Sequence, residues 1–447
     1  MAQRFRGSGF AQRARPAGRQ RTGAHVNQFT PEQSAAIRAE FPELSETVGG
    51  HPLVYLDTAA TSLRPRIAVD LESEFALRHT AAVYRGAHSL AAEATEAYDD
   101  ARASIAAFVG ARPNQLVFTS NATESINLVA LAFRLASSVG SPARFVLETG
   151  DEIVVSEAEH HANLIPWQEV AQQTGAVIRV APITDGGELT AEAVKSVISD
   201  RTRIVAVSAV SNVLGITNPV RAIADLGRAA GALVVIDACQ SAAHGRLDVE
   251  SYGADFVVFS AHKMYGPTGI GALWGTSEIL AEMPVVLTGG SMITRVDYDS
   301  SDYLPAPAKF EPGTPRLTQA IGWAESLRFV ESVGVDAIAE HEEALGAYLF
   351  AGVADIPNVR ILGTANGAHR VGLVSFVVEG VHPHDVGQYL DSRGIAARVG
   401  HHCAQPLHKR LGVDSSTRFS LGMYSTADDV ALAVAALADV RDYFGEG

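Results

Sequence analysis

Three continuous apolar runs constrain the fold of this chain more than any other part of its sequence. They are Ile204–Val207, Leu233–Ile236 and Phe256–Phe259, and a stretch long enough for a helix separates each run from the next. Strands that are apolar throughout, rather than at alternate positions, are typical of parallel sheets covered by helices on both faces. The sequence therefore predicts an α/β fold with a mostly parallel sheet and helices on both of its faces.

A polar residue follows each of these runs. Asn212 comes after the first run, Asp237 directly after the second and Lys263 shortly after the third. In sheets of this kind, ligands bind in a crevice beyond the carboxyl ends of the strands. We therefore expect these three side chains to face one crevice.

Lys263 indicates what this crevice binds. A lysine at the end of a buried strand is costly unless its charge is paired, lost or used, and desolvated lysines form Schiff bases with carbonyl compounds. An isolated lysine in such a place more often extends its ammonium group to water. Asp237 favours the first interpretation, because pyridoxal phosphate requires an acid that keeps its pyridine nitrogen protonated. The sequence thus predicts a site for pyridoxal 5'-phosphate.

Composition excludes several classes of function. A chain of 447 residues with 47% hydrophobic residues is long enough for two domains that share a cleft. The formal net charge of −15 argues against nucleic acid as a partner, and no apolar run is long enough to predict a membrane span. Cys239 and Cys403 are the only cysteines, so no disulfide framework is expected and a reducing, cytoplasmic setting is favoured.

A series of different short motifs follows the chain from about Leu53 to Tyr443. They are Tyr55–Thr61, Arg85–His88, Asn121–Leu128, Glu159–Asn163, Ser211–Gly215, Asp237–Gln240, Ser260–Lys263, Phe310–Pro315, Gly380–Asp385, Arg398–Ala404 and Arg418. In this order the chain resembles the fold-type I pyridoxal-phosphate enzymes of the class V aminotransferase family. Within that family it resembles the group II, or SufS-type, cysteine desulfurases, chiefly through His401-His402-Cys403-Ala404.

The resemblance implies a set of cofactor contacts. Asn121-Ala122-Thr123 follows one strand pattern and opens a helix, which is a place where backbone N–H groups bind phosphate as well as a plain helix cap. Family members often have two threonines where this chain has Ala122-Thr123. The other implied contacts are Ser260 and His262 at the phosphate, His160 against the pyridine ring, Gln240 at the phenolic oxygen, and Thr314 from the neighbouring subunit of a homodimer.

Cys403 is the implied nucleophile. It lies between Gly400 and Pro406 in a loop near histidines and arginines, where an exposed thiol is readily ionised, whereas Cys239 follows a buried strand. The resemblance also assigns the substrate α-carboxylate to Arg418 and Asn212. It places Arg398 and, across the dimer, Arg85 at the mouth, where Tyr84 stands in place of the family's frequent histidine.

The activity implied is that of an L-cysteine desulfurase. L-cysteine would become L-alanine, and its sulfur would pass as a persulfide on Cys403 to an acceptor protein of the SufE or SufU type for iron–sulfur cluster assembly. Selenocysteine lyase and another class V aminotransferase activity remain alternatives, as does a non-catalytic role in a sulfur-transfer complex. Zinc binding by the histidines around Cys403 is a further, less favoured reading, because their spacing does not match a closed zinc site.

The sequence predicts four parts in chain order. Residues 1–30 form a basic extension that is expected to be disordered, with a transit peptide as the alternative. Residues 31–63 are expected to pack on the small domain, and residues 64–310 to form the large cofactor-binding domain. Residues 311–447 should supply an interdomain helix over Leu317–Phe350 and a smaller C-terminal α/β domain that carries Cys403.

Overall fold

The computed structural model of the chain describes residues 28–136, 142–363 and 370–445. The predicted extension therefore lies almost wholly outside the described residues. The helices are α1 Pro31–Ala39, α2 Arg66–Arg78, α3 Ser89–Phe108, α4 Ala122–Ala136, α5 Ile165–Thr174, α6 Ala191–Lys195, α7 Val220–Ala229, α8 Ser277–Glu282, α9 Leu317–Val333, α10 Val335–Ala354, α11 Pro383–Asp391, α12 Gln405–Arg410 and α13 Ala427–Tyr443.

The strands fall into one large sheet, one smaller sheet and short paired segments. They are β1 Thr47–Val48, β2 His51–Pro52, β3 Val54–Tyr55, β4 Leu116–Thr119, β5 Glu152–Ser156, β6 Val177–Ala181, β7 Thr202–Ser208, β8 Leu233–Asp237, β9 Phe256–Ser260, β10 Gly271–Gly275, β11 Ile293–Val296, β12 Ser301–Tyr303, β13 Val359–Ile361, β14 Leu373–Val378, β15 Ile395–Ala396, β16 Arg398–Gly400 and β17 Ser416–Ser420.

The large sheet has seven strands in the order β4-β10-β9-β8-β7-β5-β6. Strand β10 runs antiparallel to both of its neighbours, and the pairs from β9 through to β6 are parallel. The predicted α/β fold with a mostly parallel sheet is therefore confirmed. Its carboxyl edge brings the ends of β7, β8 and β9 together, since Ser208 pairs with Asp237 and Asp237 with Val258.

Both faces of this sheet are covered, which explains why its strands are apolar throughout. In β7, Val205 and Val207 belong to one buried cluster, whereas Ile204 and Ala206 belong to another. Because side chains alternate between the two faces of a strand, each cluster lies on its own side of the sheet. A single polar residue within these runs would therefore be buried against one helical layer or the other.

The smaller sheet is antiparallel, with the order β13-β14-β17-β16, and it packs with α10, α11 and α13. Residues from the N-terminal part of the chain join this unit. Strand β3 pairs in parallel with β15, and Arg38 of α1 donates to the Tyr424 carbonyl and to Asp429. The N-terminal segment thus contacts the same unit that carries Arg418 and Cys403.

The helix expected over Leu317–Phe350 is wrong as a single element. The structure has two helices, α9 and α10, that meet at Gly334. Gly334 has φ of +103°, which is incompatible with an α-helix and is tolerated by glycine because it lacks Cβ. The apolar periodicity continues across the junction, so the pattern alone did not reveal the break.

Candidate active site

A cavity of about 220 Å³ lies beyond the carboxyl edge of the large sheet. The large sheet with its helices and the smaller sheet with its helices both contribute residues to its lining, so the site exists only when these two units are packed together. Its lining residues are Ala59, Ala60, Asn121, Ala122, Thr123, His160, Ala162, Ser208, Val210, Asn212, Asp237, Cys239, Gln240, Ser260, His262, Lys263, Arg398, His402, Cys403 and Arg418.

The cavity brings together most of the side chains that the sequence singled out. Arg85 and Thr314 are the two that do not line it. Thr314 lies instead beside Glu311 and Arg316 in a separate depression. Their predicted action across a dimer stays a prediction.

The start of α4 lines the cavity with Asn121, Ala122 and Thr123. Asn121 caps the helix by accepting the Glu124 N–H through Oδ1 at 3.0 Å. The Ala122 N–H donates to Ser260 Oγ at 2.8 Å, so the Ser260 hydroxyl proton is available to a ligand. A Cβ on Gly271 of β10 would lie 2.6 Å from Asn121 Cα, so only glycine lets β10 approach this turn.

Asp237 and Lys263 stand at adjacent strand ends, as the sequence predicted. Asp237 is buried, and its Oδ1 accepts the Cys239 N–H at 2.9 Å. Lys263 is half-buried, in a short turn that directly follows β9.

His160 is a neutral imidazole with a defined tautomer. Burial, and next to it the charge of Lys263, lower its pKa to about 4. The Ala162 N–H donates to Nδ1 at 3.0 Å, so the ring proton of the neutral form is on Nε2. His160 therefore presents an N–H donor rather than a cation.

Glu159 is a buried carboxyl behind His160 that sequence reasoning did not single out. It accepts hydrogen bonds from Ser156 Oγ at 2.5 Å, from Asn163 Nδ2 at 2.7 Å and from the Ser208 N–H at 3.2 Å. Burial raises its pKa to about 7, although these three donors oppose the shift. The carboxyl ties the turn of His160 to the end of β7, so it fixes one wall of the cavity.

Two guanidinium groups form another part of the cavity wall. Arg398 and Arg418 are paired residues of β16 and β17. Arg418 is buried, its Nη2 lies 3.3 Å from Asp57 Oδ1, and its Nη1 donates to the Asn212 carbonyl at 2.8 Å. Burial lowers the pKa of Arg418 to about 10, which leaves it charged at neutral pH. Asp57 was missed because no local pattern connects it with a residue 361 positions away.

Cys403 lies at the end of this wall and is half-buried rather than exposed as expected. Its carbonyl accepts the His161 N–H at 2.7 Å, and the carbonyl of His402 accepts Asn212 Nδ2 at 2.6 Å. Cys239 is buried in the same cavity, and burial raises the pKa of its thiol well above the ordinary range. Of the two thiols, that of Cys403 is the more accessible one at the cavity.

His402 gives the site a measurable pH signature. Burial, with Arg418 as the next cause, lowers its pKa from 6.5 to about 2. Unfolded chains therefore bind a proton here below pH 6.5 that folded chains do not, so the stability contributed by this residue is lost as pH falls. When the pH is lowered from 6.5 to 5, the free energy of unfolding should fall in both proteins. We expect the fall to be about 2 kcal/mol smaller in His402→Gln than in wild type.

Urea denaturation of both proteins at the two pH values measures this difference. The control is His51→Gln, at an exposed position, which should follow wild type. Equal losses in wild type and His402→Gln would show that the burial of His402 is not linked to protons.

Two features are absent from the described ranges of the chain. No group of three or more His, Cys, Asp or Glu residues in them is placed to hold a metal ion. Nor does any helix there have the length and apolarity needed to cross a membrane.

Comparison with known proteins points in one direction. The model of the aminotransferase class V family matches residues 54–432. A Mycobacterium leprae protein named "Probable cysteine desulfurase 2" is 46% identical over 418 residues, which are 93% of this chain and 99% of that protein. A Streptomyces coelicolor protein named "Probable cysteine desulfurase" is 47% identical over 412 residues, covering 92% and 97% of the two chains.

Solved structures agree. The apo structure of a cysteine desulfurase from Thermococcus onnurineus has a TM-score of 0.85 and 35% identity, over 92% of this chain and 98% of that one. An Escherichia coli cysteine desulfurase in an S-sulfonic acid form has a TM-score of 0.82 and 36% identity with the same coverage.

Proposed function

Because the chain belongs to the class V aminotransferase family, we propose that it is an L-cysteine desulfurase that uses pyridoxal phosphate. The observation that carries the proposal is that Lys263, Asp237 and Cys403 border one cavity. An aminotransferase needs the lysine and the acid, but it has no use for a reactive thiol on a loop. The names of the relatives that span nine-tenths of this chain support the same activity.

The cavity fits the cofactor. Ser208 Oγ, Gln240 Oε1 and Arg418 Nε are buried at its wall without a hydrogen-bond partner in the described part of the chain, and buried polar groups normally have one. A polar ligand would satisfy them. The residues that would hold pyridoxal phosphate are Ala122, Thr123, Ser260 and His262 at the phosphate, Asp237 and Gln240 at the ring edge, His160 at the ring, and Lys263 through a covalent bond.

Bound pyridoxal phosphate supplies an electron sink for the bonds at the substrate α-carbon. The chain supplies binding and proton transfer. Arg398, Arg418 and Asn212 would orient the substrate carboxylate, because both arginines line the cavity from neighbouring strands and a guanidinium group binds a carboxylate through paired hydrogen bonds. Lys263 Nζ moves the α-proton, and the Nε2–H of neutral His160 donates to the substrate.

The sulfur step needs no external oxidant or reductant. The Cys403 thiolate attacks the substrate sulfur, so an S–S bond forms and the Cβ–S bond breaks. The electron pair of the broken bond stays with the three-carbon fragment, which takes a proton and leaves as L-alanine. Cys403 keeps the persulfide. The substrate Cβ is reduced by two electrons, and the transferred sulfur is oxidised by the same two electrons.

The persulfide requires an acceptor. We propose that the acceptor is a thiol protein of the SufE or SufU type, in a cytoplasmic pathway of iron–sulfur cluster assembly. Cys403 is only half-buried and lies on a loop, so the thiol of such a protein can reach it. A homodimer is part of the proposal, because Arg85 and Thr314 lie away from the cavity of their own chain. L-selenocysteine is the second proposed substrate, since its selenium takes the place of the sulfur that Cys403 attacks.

One assay tests the function. Purified protein with pyridoxal phosphate, L-cysteine and dithiothreitol should release alanine and sulfide in equal amounts. Release from L-selenocysteine alone would favour the lyase alternative, and formation of 3-mercaptopyruvate only when a 2-oxo acid is added as amino acceptor would favour an aminotransferase. No turnover of either amino acid, with cofactor bound, would leave the non-catalytic role.

Asp237 should be essential to the rate. Asp237→Asn keeps the shape of the side chain but removes the charge that keeps the ring nitrogen protonated. We expect kcat to fall by roughly 10³-fold or more, or about 4 kcal/mol of barrier, with cofactor still bound. Asp336→Asn, at an exposed surface position on α10, is the control. A near-normal rate in Asp237→Asn would contradict its assignment.

A further inference from the structure

A buried chain of three side chains lies directly behind Cys403. Ser416 Oγ is 2.9 Å from Nε2 of His402 and 2.9 Å from Nε2 of His408. Nδ1 of His408 is 3.0 Å from the Ala404 carbonyl oxygen. All three side chains are buried, so no water is needed to complete the network.

The contact between His408 Nδ1 and the Ala404 carbonyl decides where every proton lies in this hydrogen-bonded series of three side chains. A carbonyl oxygen only accepts, so the proton of neutral His408 is on Nδ1 and its Nε2 is an acceptor. The Ser416 hydroxyl must then donate to His408. Having used its single proton, Ser416 can only accept from His402, which therefore carries its proton on Nε2.

This polarity leaves Nδ1 of His402 as an acceptor, and that atom is buried without a partner in the described ranges. His402 cannot become a cation there. Burial, and next to it the charge of Arg418, lower its pKa. The imidazole next to the sulfur is thus a neutral group of fixed orientation.

The backbone at this point is strained. His402 and Cys403 have φ values of +49° and +56°, a left-handed conformation that is unfavourable for any residue other than glycine. Such a conformation persists only if its surroundings hold it. Three successive carbonyls are each held by a different residue, namely that of His402 by Asn212, that of Cys403 by His161 and that of Ala404 by His408.

We propose that His402, Ser416 and His408 are positioning residues that hold Cys403 in its left-handed turn, with the thiol at the cavity wall. The proposal rests on the proposed function for what the thiol does there. Its own content is mechanical: one serine hydroxyl joins the imidazole before Cys403 to the imidazole that binds the carbonyl after it. Loss of that hydroxyl releases both ends of the turn.

Ser416→Ala tests the link, because it removes the hydroxyl and leaves two buried imidazoles unsatisfied. We expect amide hydrogen exchange over residues 398–410 to accelerate about tenfold or more, and persulfide formation on Cys403 to slow by a similar factor. The change in the cofactor spectrum on titration with L-alanine should give an unchanged Kd, because Ser416 does not line the cavity.

A matched pair at His408 separates positioning from general packing. His408→Gln keeps a side-chain acceptor for the Ser416 hydroxyl, whereas His408→Leu has similar size and no acceptor. We expect the Gln variant to keep most of the exchange protection and persulfide rate, and the Leu variant to resemble Ser416→Ala. Equal behaviour of Gln and Leu would overturn the proposal.

The tautomer provides a readout that does not involve activity. In ¹⁵N-histidine-labelled wild type, His402 should show an unprotonated Nδ1 and a protonated Nε2, and His408 the reverse. The opposite pattern would contradict the proposed hydrogen bonds among His402, Ser416 and His408, whether or not Ser416→Ala folds. If wild type forms no persulfide at all, the proposed function fails, while the exchange and tautomer measurements still decide the positioning role.

Discussion

Lys263→Ala is expected to abolish turnover of L-cysteine, with a fall in kcat of roughly 10⁴-fold or more, equivalent to about 5 kcal/mol of barrier. The lysine has two tasks, since its amine binds the cofactor covalently and then moves the α-proton. Alanine supports neither. Wild type with pyridoxal phosphate should absorb in the near-visible range, and borohydride treatment should leave the mass of the reduced cofactor on the peptide that contains Lys263.

The matched control is Lys195→Ala, at an exposed position of α6, which should keep the wild-type rate and the labelled Lys263 peptide. Lys263→Ala is expected to bind cofactor without a covalent bond, so that gel filtration gradually removes it. A reduced cofactor attached to another lysine in wild type would show that the assignment of Lys263 is wrong.

Cys403→Ala should eliminate the persulfide, and alanine release from L-cysteine should fall by roughly 10³-fold or more, as when the nucleophile of an enzyme is removed. The cofactor spectrum and its response to L-cysteine should remain. Cys239→Ala should stay active, because its thiol is buried and its raised pKa keeps it protonated. Mass spectrometry of both cysteine peptides after L-cysteine treatment measures the outcome.

Two results would change the interpretation of the thiols. A persulfide on Cys239 would transfer the role to the buried thiol, and undiminished desulfuration by Cys403→Ala would remove the nucleophile from the mechanism. Retained activity toward L-selenocysteine alone would favour the lyase alternative, since selenium can leave without a protein thiol.

The sequence predicted the large sheet well, because the information lay in local runs. Continuous apolar strands with polar ends placed Asn212, Asp237 and Lys263 at one edge, and the structure brings all three to one cavity. The break at Gly334 was missed, since a single glycine does not disturb the apolar periodicity around it. Helices α9 and α10 therefore looked like one.

The second layer of the site could not be predicted from local pattern. Asp57 meets Arg418, and Asn212 meets the His402 carbonyl, across hundreds of residues. Glu159 and Ser416 are common residue types, and only the folded structure brings Glu159 to the Ser208 N–H and Ser416 to His402 and His408. The half-burial of Cys403 has the same origin, because the large domain covers a loop that looked exposed by itself.

The position of β4 at the edge of the large sheet bears on the order of folding. Strand β4 joins the sheet only through β10, and the hydrogen bond from the Ala122 N–H to Ser260 spans 138 residues. Closing a loop of that length is slow and comes after local structure has formed. The turn at the start of α4 is therefore completed late, after synthesis has passed Gly271. Only chains in which β10 has paired with β4 should therefore bind the cofactor. A nascent or truncated chain that ends before β10 should not retain it.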